Sequence, residues 1–112
     1  MEKTIKIGDK EVRMRSSAAI PRLYRIKFRK DIFKDLNALQ NIGEEMPFES
    51  IEIFENLAYI MAAHADININ PNVEEWLAQF DTKDFFNALT DIMSLWSEEI
   101  EQTSTEKKDI EQ

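Results

Sequence analysis

The stretch Ile5-Lys6-Ile7-Gly8-Asp9-Lys10-Glu11-Val12-Arg13-Met14-Arg15, with the run that follows it to Asn41, changes its hydrophobic period part-way. Up to Arg15 apolar and polar residues alternate. That period of two belongs to half-buried strands, whose side chains point to opposite faces in turn. Matching the apolar residues pairs Ile7 with Val12 and Ile5 with Met14, which leaves residues 8–11 as the turn. A lone two-stranded ribbon is marginal in water, so its Ile/Val/Met face needs a helix to rest on. After Ser16 and Ser17, both able to cap, and Pro21, tolerable in a first helical turn, the spacing changes. Tyr24, Phe28, Ile32, Leu36 and Leu39 step by three or four, one face of a helix reaching about Asn41. Ile26 and Phe33 widen the stripe, and Gly43 suits a C-terminal stop.

Downstream the pattern stays helical. Residues 44–49 read as a loop containing Pro47. Ile51, Phe54, Leu57, Ala58, Met61 and Ala65 predict a helix ending near Asp66. Asn72 and Glu75 form a capping-box pattern opening a short helix through Trp76, Leu77 and Phe80. Asp81-Thr82 breaks the chain again before Phe85, Phe86, Leu89, Ile92, Met93, Trp96 and Ile100. Beyond Glu101 no apolar period remains, which predicts a disordered acidic tail over 102–112. The expected fold class is α+β, mostly α: an N-terminal β-hairpin over 3–15, then about four helices over 17–101, sharing one small core. Residues 1–101 form a single domain in this reading.

Composition narrows the function. The 112 residues carry a net charge of −8, unevenly spread. Residues 1–34 hold 11 Lys/Arg against 4 Asp/Glu, and residues 35–112 hold 3 against 18. An acidic body disfavours general nucleic-acid binding, because phosphate would repel most of the chain. Without cysteine there is no disulfide framework, thiolate zinc site or thiol nucleophile. Two glycines do not make a phosphate-binding loop. No apolar run approaches the ~20 residues that cross a bilayer, and the first residues lack the apolar segment of a signal peptide.

Few residue sets suggest chemistry. His64 is the one histidine, and Asp66, two positions on, falls on another side of a helix, so the pair reads as a helix end and not as a base with its orienting acid. Asp66-x-Asn68-x-Asn70 imitates the opening of a calcium loop, but Pro71 and Leu77 stand where the turn glycine and the bidentate glutamate belong. Glu44-Glu45, Glu74-Glu75 and Glu98-Glu99 read as solvated pairs. No catalytic, metal or cofactor residues are expected, and no enzyme. The basic head is the least ordinary feature. Arg22, Arg25 and Arg29 share a helical stripe, while Lys6, Arg13 and Arg15 share the outer face of the ribbon. Three readings stand: the stripe faces acidic residues of the chain's own later helices, it docks an acidic partner or another copy, or it meets nucleic acid. Trp76 and Trp96 sit at core spacing, although tryptophan is also a frequent interface anchor.

The ordered set Ile5-x-Ile7-x-x-Lys10-Glu11-Val12, Pro21-x-x-Tyr24-Arg25, Phe28-x-x-Asp31-Ile32-x-x-Asp35-Leu36, Glu52-Ile53-Phe54-Glu55-Asn56-Leu57-Ala58-Tyr59-x-Met61-Ala62, Glu75-Trp76-Leu77-x-Gln79-Phe80, then Leu89, Ile92, Leu95 and Trp96, resembles the tail assembly chaperones of long-tailed phages and prophages of Gram-positive bacteria. It departs from that pattern at Gly8-Asp9, where Asp-Gly is expected, and at Ile20, where a capping residue would precede Pro21. The resemblance implies a non-enzymatic protein of the host bacterial cytoplasm, absent from the mature virion. Such a protein coats and solubilises the tape-measure protein and helps recruit the major tail protein. A client groove lined by Tyr59, Trp76, Phe80 and Trp96, and rimmed by Arg22, Arg25 and Arg29, would suit that work. The charge split would also let copies self-associate head to body. Neither nucleic acid nor membrane is an expected partner. The alternative is a small acidic adaptor or inhibitor that binds another protein.

Overall fold

A computed structural model describes the backbone of residues 1–39 and 48–111, and the side chains of 1–37 and 50–98. Two antiparallel strands, β1 (Glu2–Ile7) and β2 (Lys10–Arg15), form the expected ribbon. The register differs from the expected one by two residues. Ile5 lies opposite Val12, Lys3 opposite Met14, and only Gly8 and Asp9 form the turn. Gly8 has φ +65° while Asp9 keeps an ordinary backbone, the pattern of a two-residue hairpin whose first turn position needs glycine. The Gly-Asp order is therefore what this turn requires. Ile5, Ile7 and Met14 are buried and Val12 half-buried on one face. Thr4, Lys6, Arg13 and Arg15 occupy the other.

The long first helix is two. Helix α1 (Ile20–Phe28) ends where Arg29 turns left-handed, at φ 57°, with its N–H returning to Arg25 O at 2.7 Å. Helix α2 (Ile32–Leu39) starts afresh on Asp31, whose Oδ1 accepts from the N–H of Phe33 and of Lys34. That is an N-cap, read over in the sequence because the apolar step of four carries through the break. Tyr24 spans the break, donating from its hydroxyl to Asp35 Oδ2 at 3.0 Å. Neither serine caps α1 in the usual way. Its N-cap is Ala19, and Ser17 Oγ accepts from Ala19 N–H in a tight turn. Ser16 is buried, and its hydroxyl has no hydrogen-bond partner among the described residues. Gly43 and Pro47 lie outside the described residues.

Helix α3 (Phe48–Ala65) is the axis of the fold. Six consecutive residues from Leu57 to Ala62 are buried, so this part is enclosed all round and not only on the expected stripe. Strand β2 packs on it from one side, α1 and α2 from another, and α4 (Val73–Ala78) from a third. Arg13 reaches from the ribbon to donate to Ala65 O at the end of α3. Helix α5 (Thr82–Glu111) packs on β1 with Phe85, Ala88, Ile92, Leu95 and Trp96 inward. Phe86, expected in the stripe, is exposed. Among the described residues five helices follow the ribbon, and the backbone of α5 is helical to Glu111. Glu, Gln and Lys are good helix formers, and adding residues to an existing helix avoids the nucleation cost. Lys3, on the inner face of β1, extends past the core edge to Glu98 of α5, Nζ to Oε2 2.7 Å, an exposed pair worth under ~1 kcal/mol.

Candidate functional site

Helix α1 places Arg22 and Arg25 on its solvent side because Ile20 and Tyr24 turn inward and anchor the opposite side, and Arg29 follows at its C-cap. All three are exposed. Among the described residues the one ion pair within 4 Å is Lys3–Glu98, so none of the three guanidinium groups meets a described carboxylate. The reading in which this stripe pairs with the chain's own acidic helices is not met among those residues. Lys27, on the same helix, is engaged differently. Its ammonium donates to Pro71 O at 2.6 Å and lies 5.6 Å from the centre of the Tyr59 ring.

Beside this cationic face an open groove of about 550 Å³ runs between α1 and α3. Leu23 and Ile26 line it from α1, Tyr59, Ile60 and Ala63 from α3, and Ile67 from the following loop. Ile26 is 63% exposed and Ile67 95%. The apolar spacing assigned Ile26 to the core stripe, and Ile67 stood unassigned inside the calcium-like stretch Asp66-x-Asn68-x-Asn70. The available signal was an aliphatic residue among arginines, and another isolated among Asp and Asn.

The four aromatic residues expected in one groove fall in two places. Tyr59, Trp76 and Phe80 form a cluster with Phe85, with edge-on contacts of 5.5 Å between Tyr59 and Trp76 and 5.1 Å between Trp76 and Phe80. Such pairs add about 0.5–1.5 kcal/mol beyond the area they bury. Trp76 is buried there, and Tyr59 donates its hydroxyl to Asn70 O at 2.7 Å, which ties α3 to the loop before α4. Burial holds that hydroxyl above its usual pKa. Trp96 is buried elsewhere, under the ring of Phe33, which is itself 56% exposed. Of the four, only Tyr59 reaches the α1–α3 groove.

His64 also lines the groove, and its Nε2 and Ser17 Oγ are 2.9 Å apart. Since Ser17 Oγ already accepts from Ala19 N–H, its own proton is available to a neutral ring protonated at Nδ1. Burial, with the Arg15 guanidinium and the N-terminal ammonium adding to it, pushes the imidazole below its ordinary pKa. No carboxylate orients the ring among the described residues, so the pair ties the ribbon–α1 junction to α3.

The calcium-like loop spends its oxygens on its own backbone. Asp66 Oδ1 accepts from Asn68 N–H, Asn70 Oδ1 from Asn72 N–H, and Asn72 Oδ1 from Glu75 N–H. The last is the expected cap of α4. Glu75 does not return to Asn72 but accepts from the Asn70 amide. Elsewhere, burial and the neighbouring Glu52 raise the Glu55 carboxyl above its usual range. Glu44 and Glu45 lie outside the described residues. No helix among the described residues is long and apolar enough to cross a membrane. Compared with known proteins, the chain matches no family model, no curated protein and no solved structure.

Proposed function

We propose that this chain is a non-enzymatic phage tail assembly chaperone, acting in the host bacterial cytoplasm and left out of the finished virion. It binds and solubilises the tape-measure protein and helps recruit the major tail protein to the growing tube. The observation that carries this reading is the exposed row Arg22, Arg25 and Arg29, which has no acidic partner among the described residues. Arg22 and Arg25 on the nine-residue helix and Arg29 at its C-cap set three positive charges along one short segment, and an acidic chain supplied from outside would offset their mutual repulsion. The ordered resemblance, which runs from about residue 3 to 108, supplies the class of client. Its aromatic and aliphatic positions Tyr24, Ile32, Leu57, Met61, Trp76, Ile92 and Leu95 are core residues here, which supports a shared scaffold more than a shared surface.

The test is co-expression with a tape-measure protein of a long-tailed phage of Gram-positive bacteria. The wild-type chain should carry the tape measure into the soluble fraction and co-purify with it. Replacing Arg22, Arg25 and Arg29 by Glu should abolish co-purification while circular dichroism stays unchanged, since all three side chains are exposed. An insoluble tape measure beside abundant folded wild-type chain would overturn the proposal.

A further inference from the structure

We infer that the groove between α1 and α3 is the docking site for an amphipathic helix of another protein that carries acidic residues along its edge. This rests on the reading of the chain as a chaperone and names the segment of client that it would hold. The groove floor is aliphatic and aromatic, built from Leu23, Tyr59, Ile60 and Ala63, while Ile26 and Ile67 stand at the mouth with most of their surface in water. Two large aliphatic side chains left at the mouth of one concave apolar strip are what a helix-in-groove contact covers.

The charges choose the occupant. The lining contains Lys27 and His64 and no carboxylate. Arg22 is one helical turn before Ile26, on the same side of α1, and Arg25 on the helix and Arg29 at its C-cap add positive charge to the same short segment. Lys27 is held in place by Pro71 O and the Tyr59 ring, which neutralise none of its charge. A basic or neutral helix would lay its flank against this edge at a cost, whereas Glu or Asp beside its apolar stripe would complete ion pairs. The nine residues of α1 span about 14 Å, room for two to three turns of a guest helix, hence apolar anchors at i, i+3 or i+4, and i+7.

The experiment uses the full chain and a fluorescent synthetic helix of about four turns, with a Leu stripe flanked by Glu, followed by anisotropy. A second peptide replaces every Glu by Lys. The Glu peptide should bind about tenfold or more tightly than the Lys peptide, and the preference should shrink with added salt. The Ile26→Ser/Ile67→Ser double variant should lose about tenfold in affinity with its circular dichroism unchanged, both residues being exposed. Equal binding of the two peptides, no binding of either, or full binding by the double variant would overturn the inference. So would capture of phosphatidylglycerol vesicles by a wild-type chain that ignores the Glu peptide. Running the double variant in the tape-measure co-expression separates the two claims. Retained solubilisation by a variant that has lost the peptide refutes a client role for the groove and leaves the chaperone reading standing. Peptide binding by a wild-type chain that fails to solubilise the tape measure does the reverse.

Discussion

Replacing Gly8 by Ala tests how the ribbon is seated on α5. Two separate penalties arise. The backbone at Gly8 has φ +65°, a region that costs an L-residue about 1–2 kcal/mol. A methyl group built there also falls on Oδ2 of Asp84, 2.9 Å from its Cγ and 3.3 Å from its Cβ, in the first turn of α5. The carboxylate is the far end of a half-buried side chain, so it swings aside instead of forcing the helix away, at the ~0.5–1.5 kcal/mol of an off-rotamer position. Together the loss is about 2–3 kcal/mol, a fall in Tm of roughly 8–15 °C for a domain of this size. Urea unfolding followed by circular dichroism measures it in four chains: wild type, Gly8→Ala, Asp84→Ala and the double variant. If both terms are real, the double variant recovers the steric part only, and about 1–2 kcal/mol of backbone cost persists. Should Gly8→Ala lie within ~0.5 kcal/mol of wild type, or should the two substitutions add without coupling, the described contact between turn and helix is refuted.

Three further outcomes follow from the same geometry. Ser16→Ala removes a buried hydroxyl that has no partner among the described residues and should raise stability by about 1 kcal/mol; a loss of that size in the same urea titration would mean that the hydroxyl is satisfied. Arg29→Gly relaxes the left-handed residue that ends α1 and should stabilise the fold by about 0.5–1 kcal/mol, while weakening the acidic peptide in the anisotropy assay; a stability gain with unchanged binding would remove Arg29 from the cationic edge. His64 has a folded pKa below its usual 6.5, so its contribution is fully present above that pH and declines as pH falls toward the folded value, because the unfolded chain then takes up a proton that the folded chain resists. Urea midpoints from pH 7.5 down to 5 should therefore decline less in His64→Gln than in wild type, and parallel curves would show that the imidazole is not held neutral.

Much of this architecture is legible in the residues because it follows from local rules. The change of period after Arg15 marks where strands give way to helices. Asn72 with Glu75 marks the start of α4, and Ile5, Ile7 and Met14 identify the inner face of the ribbon. The candidate site was half legible. A stripe of arginines can be seen by counting, whereas the groove beside it depends on where α3 and the loop to Ile67 come to rest.

The rest was decided in three dimensions, for reasons that can be named. A ribbon register that slips by two residues keeps every side chain on its own face, so alternation cannot separate Ile5 opposite Val12 from Ile5 opposite Met14. The seating of Gly8 against Asp84 is one contact tied to the pairing found. The step of four from Phe28 to Ile32 runs through the break at Arg29, and only the left-handed turn there and the Asp31 cap divide one apparent helix into two. Periodicity gives α3 one apolar stripe, yet ribbon, α1 and α2, and α4 enclose it from Leu57 to Ala62. That enclosure draws Tyr59 and Trp76 into a shared cluster and leaves Ile26 and Ile67 outside it. Hydrophobicity says that a side chain prefers to be covered, and the packing of the whole chain determines which ones run out of neighbours to cover them.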